Sequence, residues 1–182
     1  MDLKRIAGAI AASCLITGVV SAQAPHQHGR GTVNIAFEQD RLEIELHAPG
    51  ADIVGFERLA QTDAERQTLS LAIAALKQPL TLLTLPSVAG CRVQETVVTA
   101  EGMEEGGPAG AHTEFEAAWM LRCDDVTALR TFDFKPLFAR FAGAEELDVT
   151  VVTARGPSTY EVTRESPTVD RGNSLWRWLT GR

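Results

Sequence analysis

His26 and His28 stand two residues apart in Pro25-His26-Gln27-His28-Gly29. In an extended segment such residues point the same way, with Cα atoms about 6.5 Å apart, so two imidazoles converge on one cation. Neutral imidazole suits zinc, copper and nickel. An amino-terminal copper chelate with His26 as third residue needs a backbone amide on the second, and Pro25 removes it. The plain alternative is a solvated polar N-terminus. The other two histidines sit in rows with carboxylates, Glu43-x-Glu45-x-His47 and His112-x-Glu114-x-Glu116. Such a row offers nitrogen and oxygen ligands to zinc, and it is also how the wet face of a half-buried strand reads. For His47 the wet face is the preferred reading. His112 adjoins an acidic stretch with Glu101, Glu104 and Glu105, and joins His26 and His28 as a candidate metal ligand.

Catalytic signatures are absent. There is no Gly-x-Ser-x-Gly elbow, phosphate loop, His-Glu-x-x-His helix or dinucleotide fingerprint, and no spacing singles out one pair of carboxylates. The chain is therefore read as a non-enzyme. With 17 Lys and Arg against 24 Asp and Glu, a net charge of −7 argues against nucleic acid as a partner.

Residues 1–22 follow the grammar of a secretory signal peptide: Lys4 and Arg5, an apolar run from Ile6 to Val20, then Val20-Ser21-Ala22. The run is about fifteen residues where a membrane span needs roughly twenty, so cleavage before Gln23 is expected rather than stable membrane insertion. Cleavage after Ala24 also fits the small-residue pattern. Export is therefore expected, and removal of the signal takes Cys14 with it. Cys91 and Cys123 then form an even pair in an oxidising compartment, which predicts a disulfide. Closing a loop of about 33 residues contributes on the order of 3.5 kcal/mol in the chain-entropy model. Zinc ligation by the two thiolates is the minor alternative.

The elements that must position these residues are legible in part. A chain of 182 residues with 45% apolar and 23% charged side chains suits one globular domain, here residues 23–167, followed by a tail at 168–182. Val33, Ile35 and Phe37, then Leu42, Ile44 and Leu46, predict a hairpin with one buried face and Glu38, Glu43, Glu45 and His47 on the other. Thr62-Asp63-Ala64-Glu65 is a capping box that starts a helix running to about Lys77, with Leu69, Ala72, Ile73 and Leu76 buried and Pro79 beyond its end. Cys91 to Thr99 contains a strand. Ala100–Ala111, with three glutamates and four glycines, reads as a loop. Phe115, Ala117, Trp119, Leu121 and Cys123 share one face of the next strand. The spacing of Leu129, Phe132, Phe134, Leu137, Phe138 and Phe141 predicts a helix interrupted near Pro136. Leu147–Thr153 and Thr159–Thr163 form a second hairpin joined by residues 154–158. The tail is polar until Leu175-Trp176-Arg177-Trp178-Leu179, a cluster that docks on the domain, meets a partner or touches a membrane surface. The fold class is α+β: a mainly antiparallel sheet with helices on one face, closed by one disulfide.

Taken together, His26-Gln27-His28-Gly29-Arg30-Gly31, Gly55-Phe56-Glu57 before Thr62-Asp63-Ala64-Glu65-Arg66, Cys91, and His112-Thr113-Glu114-Phe115-Glu116-Ala117 leading to Cys123 resemble the ZrgA family of zinc-regulated periplasmic proteins. The resemblance implies an exported protein that binds zinc reversibly and assists zinc uptake beside a membrane zinc transporter, with His26, His28 and His112 as metal ligands. Members commonly carry a histidine-rich run between the two cysteines. Ala100–Ala111 has none, so a single site built from dispersed histidines is the expectation. Because protonated imidazole does not bind, affinity should fall below about pH 6.5. The rival function is a non-catalytic envelope scaffold that keeps the family's fold without its cargo.

Overall fold

A computed structural model describes residues 27–103 and 113–172. Among the described residues, eight strands and four helices follow one another as β1 (Arg30–Glu38), β2 (Arg41–Pro49), α1 (Gly50–Val54), α2 (Asp63–Leu76), α3 (Pro79–Leu82), β3 (Arg92–Glu101), β4 (Glu114–Arg122), β5 (Thr131–Asp133), α4 (Lys135–Arg140), β6 (Glu146–Thr153), β7 (Gly156–Thr163) and β8 (Thr168–Asp170). Six strands form one sheet in the order β3-β4-β2-β1-β6-β7. Only β1 and β6 run parallel; every other pair in the sheet is antiparallel. The α+β class and the mainly antiparallel sheet stand as the sequence predicts.

Period-two alternation turns this sheet into two chemically distinct surfaces. Val33, Ile35, Leu42, Ile44, Leu46, Phe115, Trp119, Leu121, Val149 and Val151 are buried on the inner face. The helices cover that face with Leu69, Ala72, Leu76, Leu82, Leu137 and Phe138, all in the same core. Outside lie Thr32, Asn34, Glu43, Glu45, His47, Glu114, Glu116 and Asp148.

Helix α2 begins where the capping box places it. The Thr62 hydroxyl accepts from the Glu65 amide, and the Glu65 carboxylate accepts from the Gln61 and Thr62 amides. Arg58 together with those amides holds the Glu65 carboxyl down at about 2. Leu69, Ala72 and Leu76 are buried, whereas Ile73 is only half-buried beside them. Cys91 and Cys123 are bonded, joining the chain just before β3 to the chain just after β4.

The structure departs from the sequence expectations at four places. The expected helix from Val126 to Phe141 is instead a 3-10 turn at Val126–Ala128, strand β5 and the short helix α4. Phe132 pairs with Val169 of β8, and Thr84 bridges Asp133, so tertiary backbone partners override the helical spacing. Pro136 sits in the first turn of α4, where its missing N–H is harmless, while the Asp133 side chain accepts from the Lys135 amide. The aromatic residues are nevertheless core, as expected: Phe132, Phe134, Phe138 and Phe141 are buried. The second hairpin turns more tightly, through Ala154-Arg155 alone, because Gly156 at φ 107° lets β7 start at once. A short helix, α1, also forms where none is expected, ended by Gly55 at φ 85°. The first residues of the expected tail, Thr168–Asp170, are strand β8. The expected signal peptide, most of the acidic loop and the tryptophan cluster lie outside the described residues, as do His26 and His112.

Candidate metal centre

Strands β2 and β4 are neighbours in register, with His47 opposite Glu116 and Pro49 opposite Glu114. Residues of like parity share a face, so His47, Glu114 and Glu116 project outward together. His47 Nδ1 lies 3.5 Å from Glu116 Oε1 and 3.8 Å from Glu114 Oε1. One ligand atom from each of the three residues fits within a 4.8 Å span. Two donors each about 2.1 Å from a tetrahedral zinc ion stand about 3.4 Å apart, so the group is close to ligating geometry as it is. The mix of one imidazole and two carboxylates suits zinc better than the softer copper(I), which prefers sulfur.

Exposure decides what such a group can do. The Glu114 side chain is 13% exposed, against 35% for His47 and 43% for Glu116. An ion can therefore reach the cluster from solvent while one carboxylate holds it from the protein side. Neighbouring positions on the same face add field: Glu101 pairs with Glu114 on β3, and Glu43 and Glu45 precede His47 on β2. Lined by one sign of charge, this surface concentrates cations. Arg30, at the same end of the sheet, is neutralised between Glu146 at 2.6 Å and Asp148 at 2.8 Å. Its guanidinium keeps the Asp148 carboxyl below the usual carboxylate range.

His28 occupies the same end of the sheet, just before β1. Its Nε2 lies 3.2 Å from Glu57 Oε2, and its side chain is 68% exposed. Beneath it Asp52 is buried; one carboxylate oxygen accepts from the Gly29 amide at 2.8 Å, and the other has no hydrogen-bond partner. Burial pushes the Asp52 carboxyl above its ordinary value, against the Gly29 amide and His28, while Glu57 and Glu145 add to the rise. His28 is thus a solvent-exposed imidazole with the Glu57 carboxylate beside it.

Of the expected ligands, His28 is described and stands with Glu57, while His26 and His112 are not among the described residues. The sequence favours a solvated row for His47; the structure gathers it with Glu114 and Glu116. The two quoted rows contain all three residues. What they lack is the pairing of β2 with β4, strands separated along the chain by three helices and β3. Glu57 carries no sequence signal beyond its place in Gly55-Phe56-Glu57.

Among the described residues no helix is long and apolar enough to cross a membrane. A comparison with curated proteins finds no match. A family model described as "ZrgA family zinc uptake protein" matches residues 25–171, which takes in the histidine pair, both cysteines, the β2–β4 cluster and every strand of the sheet. The chain belongs to the ZrgA family of zinc uptake proteins.

Proposed function

We propose that this protein is a non-catalytic periplasmic zinc carrier that binds one zinc ion reversibly at His47, Glu114 and Glu116 and passes it toward a membrane zinc transporter. The observation that carries the reading is the convergence of one imidazole nitrogen and two carboxylate oxygens within 4.8 Å, in a chain of a zinc uptake family. His112, two residues before Glu114 in the sequence, is the candidate fourth ligand that the sequence offers. His28, beside Glu57 near the same sheet end, and His26, two residues before it in the sequence, offer a second donor pair suited to capturing an ion before it reaches the cluster. Export through the signal peptide, with cleavage before Gln23, agrees with the disulfide, which oxidising compartments preserve.

Zinc titration of the oxidised, tag-free protein from residue 23 to 182, against a competing chromophoric chelator, tests this. One equivalent bound with a Kd below about 1 μM, some 8 kcal/mol of binding free energy, is the expected result. A Kd no tighter than about 100 μM would mean that the histidines are incidental, and the carrier reading would be abandoned.

A further inference from the structure

A group of arginines lies at the opposite end of the sheet. Where β1 and β6 finish, about 17 Å along β1 from His47, a cleft of about 450 Å³ opens between Phe37, Leu129, Thr153 and three arginines, Arg130, Arg155 and Arg171. Among the described residues no carboxylate lines it, in a chain of net charge −7. Asp170, next along the chain, directs Oδ1 to the Gly172 amide.

The arginines are held together by the fold. The Arg171 amide donates to the Arg130 carbonyl at 2.7 Å, its Nη1 donates to the Leu129 carbonyl at 2.9 Å, and its guanidinium lies 4.5 Å over the Phe37 ring. Arg155 is one of the two turn residues between β6 and β7, its amide bonded to Thr153 Oγ1 at 3.2 Å. Burial first, and the charge of Arg130 after it, pull the Arg171 guanidinium below its ordinary value. Like charges brought together beside an apolar wall are unfavourable in the empty cleft, and an anion between them removes the repulsion. Each guanidinium offers a planar fork of donors, and a phosphate offers three peripheral oxygens to meet them. The volume exceeds that of phosphate alone, leaving room for an organic portion against Phe37 and Leu129.

We propose that the Arg130–Arg155–Arg171 cleft binds a phosphate ester, either a soluble one or the headgroup of an anionic lipid. The site is separate from the zinc cluster and does not depend on the carrier reading. Arg130 and Arg155 are exposed and make no described side-chain hydrogen bond, so Arg130→Gln with Arg155→Gln tests the cleft without disturbing the core. Arg171 is left in place because it packs on Phe37.

The experiment uses tag-free protein from residue 23 with metal removed, and two probes. Inorganic phosphate is titrated by calorimetry, and sedimentation is measured with vesicles of phosphatidylethanolamine and phosphatidylglycerol, with phosphatidylcholine vesicles as the neutral control. Losing two charge-assisted contacts should weaken binding of the effective probe by about tenfold or more, with the thermal midpoint unchanged. Phosphate binding alone assigns a soluble ester; binding to phosphatidylglycerol vesicles that the double variant loses assigns a lipid headgroup. Failure of the wild type to bind either probe, or equal binding by the double variant, overturns the proposal.

Discussion

Replacing His47 by alanine should weaken zinc binding by at least about a hundredfold, roughly 2.7 kcal/mol, since even groups that only orient a ligand are worth 10–100-fold in metal affinity. His47 supplies the one nitrogen of the described cluster, and without it the two carboxylates face each other across a gap with no imidazole to draw zinc away from water. The fold should tolerate the change. The His47 side chain is 35% exposed and its only described partners are Glu114 and Glu116, so the unfolding free energy should move by no more than about 0.5 kcal/mol. Competition titration and urea unfolding on the same preparation separate the two effects. A variant that binds zinc as tightly as the wild type would remove His47 from the site. By contrast, His26→Ala with His28→Ala should keep the one-to-one stoichiometry and weaken affinity less, because His28 stands with Glu57, outside the β2–β4 cluster.

Trp119→Ala should destabilise the domain by about 3–5 kcal/mol, a large part of the 5–15 kcal/mol that holds a typical domain folded. Trp119 is 2% exposed, in the middle of β4, with Ile44 and Thr96 beside it on the flanking strands. Its indole N–H donates to the Leu76 carbonyl at 2.7 Å. Leu76 is the last residue of α2, and carbonyls at a helix C-terminus have no partner within the helix. The tryptophan therefore fills the space between sheet and helix and also satisfies a buried acceptor. Trp119→Phe keeps most of the volume and loses the hydrogen bond, so it should cost about 1–3 kcal/mol. Unfolding in guanidinium, followed by circular dichroism, measures both. A Trp119→Phe variant as stable as the wild type would show that the indole N–H does not anchor α2. The same strand carries Glu114 and Glu116, so loss of this anchor should also loosen the metal cluster.

Local chemistry accounts for what the sequence makes legible. Alternation along β1, β2 and β4 names the buried face, because each strand meets the core on one side only. The capping box locates the start of α2 from two side chains that bond to amides within four residues. The even cysteine pair in a chain expected to be exported predicts the bond that is found. What stays hidden is pairing between distant segments. Alternation says that His47 and Glu116 are both on outer faces, but not that β4 is the strand beside β2, since that depends on how β3 and three helices fold between them. The stretch from Val126 to Phe141 misleads for the same reason. Its apolar residues fit a helical period, yet they enter the core from a 3-10 turn, a three-residue strand and a short helix, held by β8 and Thr84. Pro136 marks the interruption correctly and leaves the strand before it unannounced.

The central claim is that zinc sits between β2 and β4. Anomalous diffraction at the zinc edge, from crystals of the zinc-loaded protein grown in buffer free of other divalent ions, tests it most directly. The account predicts one strong peak about 2.0–2.2 Å from His47 Nδ1 and from an oxygen of each of Glu114 and Glu116. A peak placed instead in the acidic hollow lined by Glu43, Glu45 and Glu95 on the same face, or at His28 and Glu57 with none at His47, would contradict it.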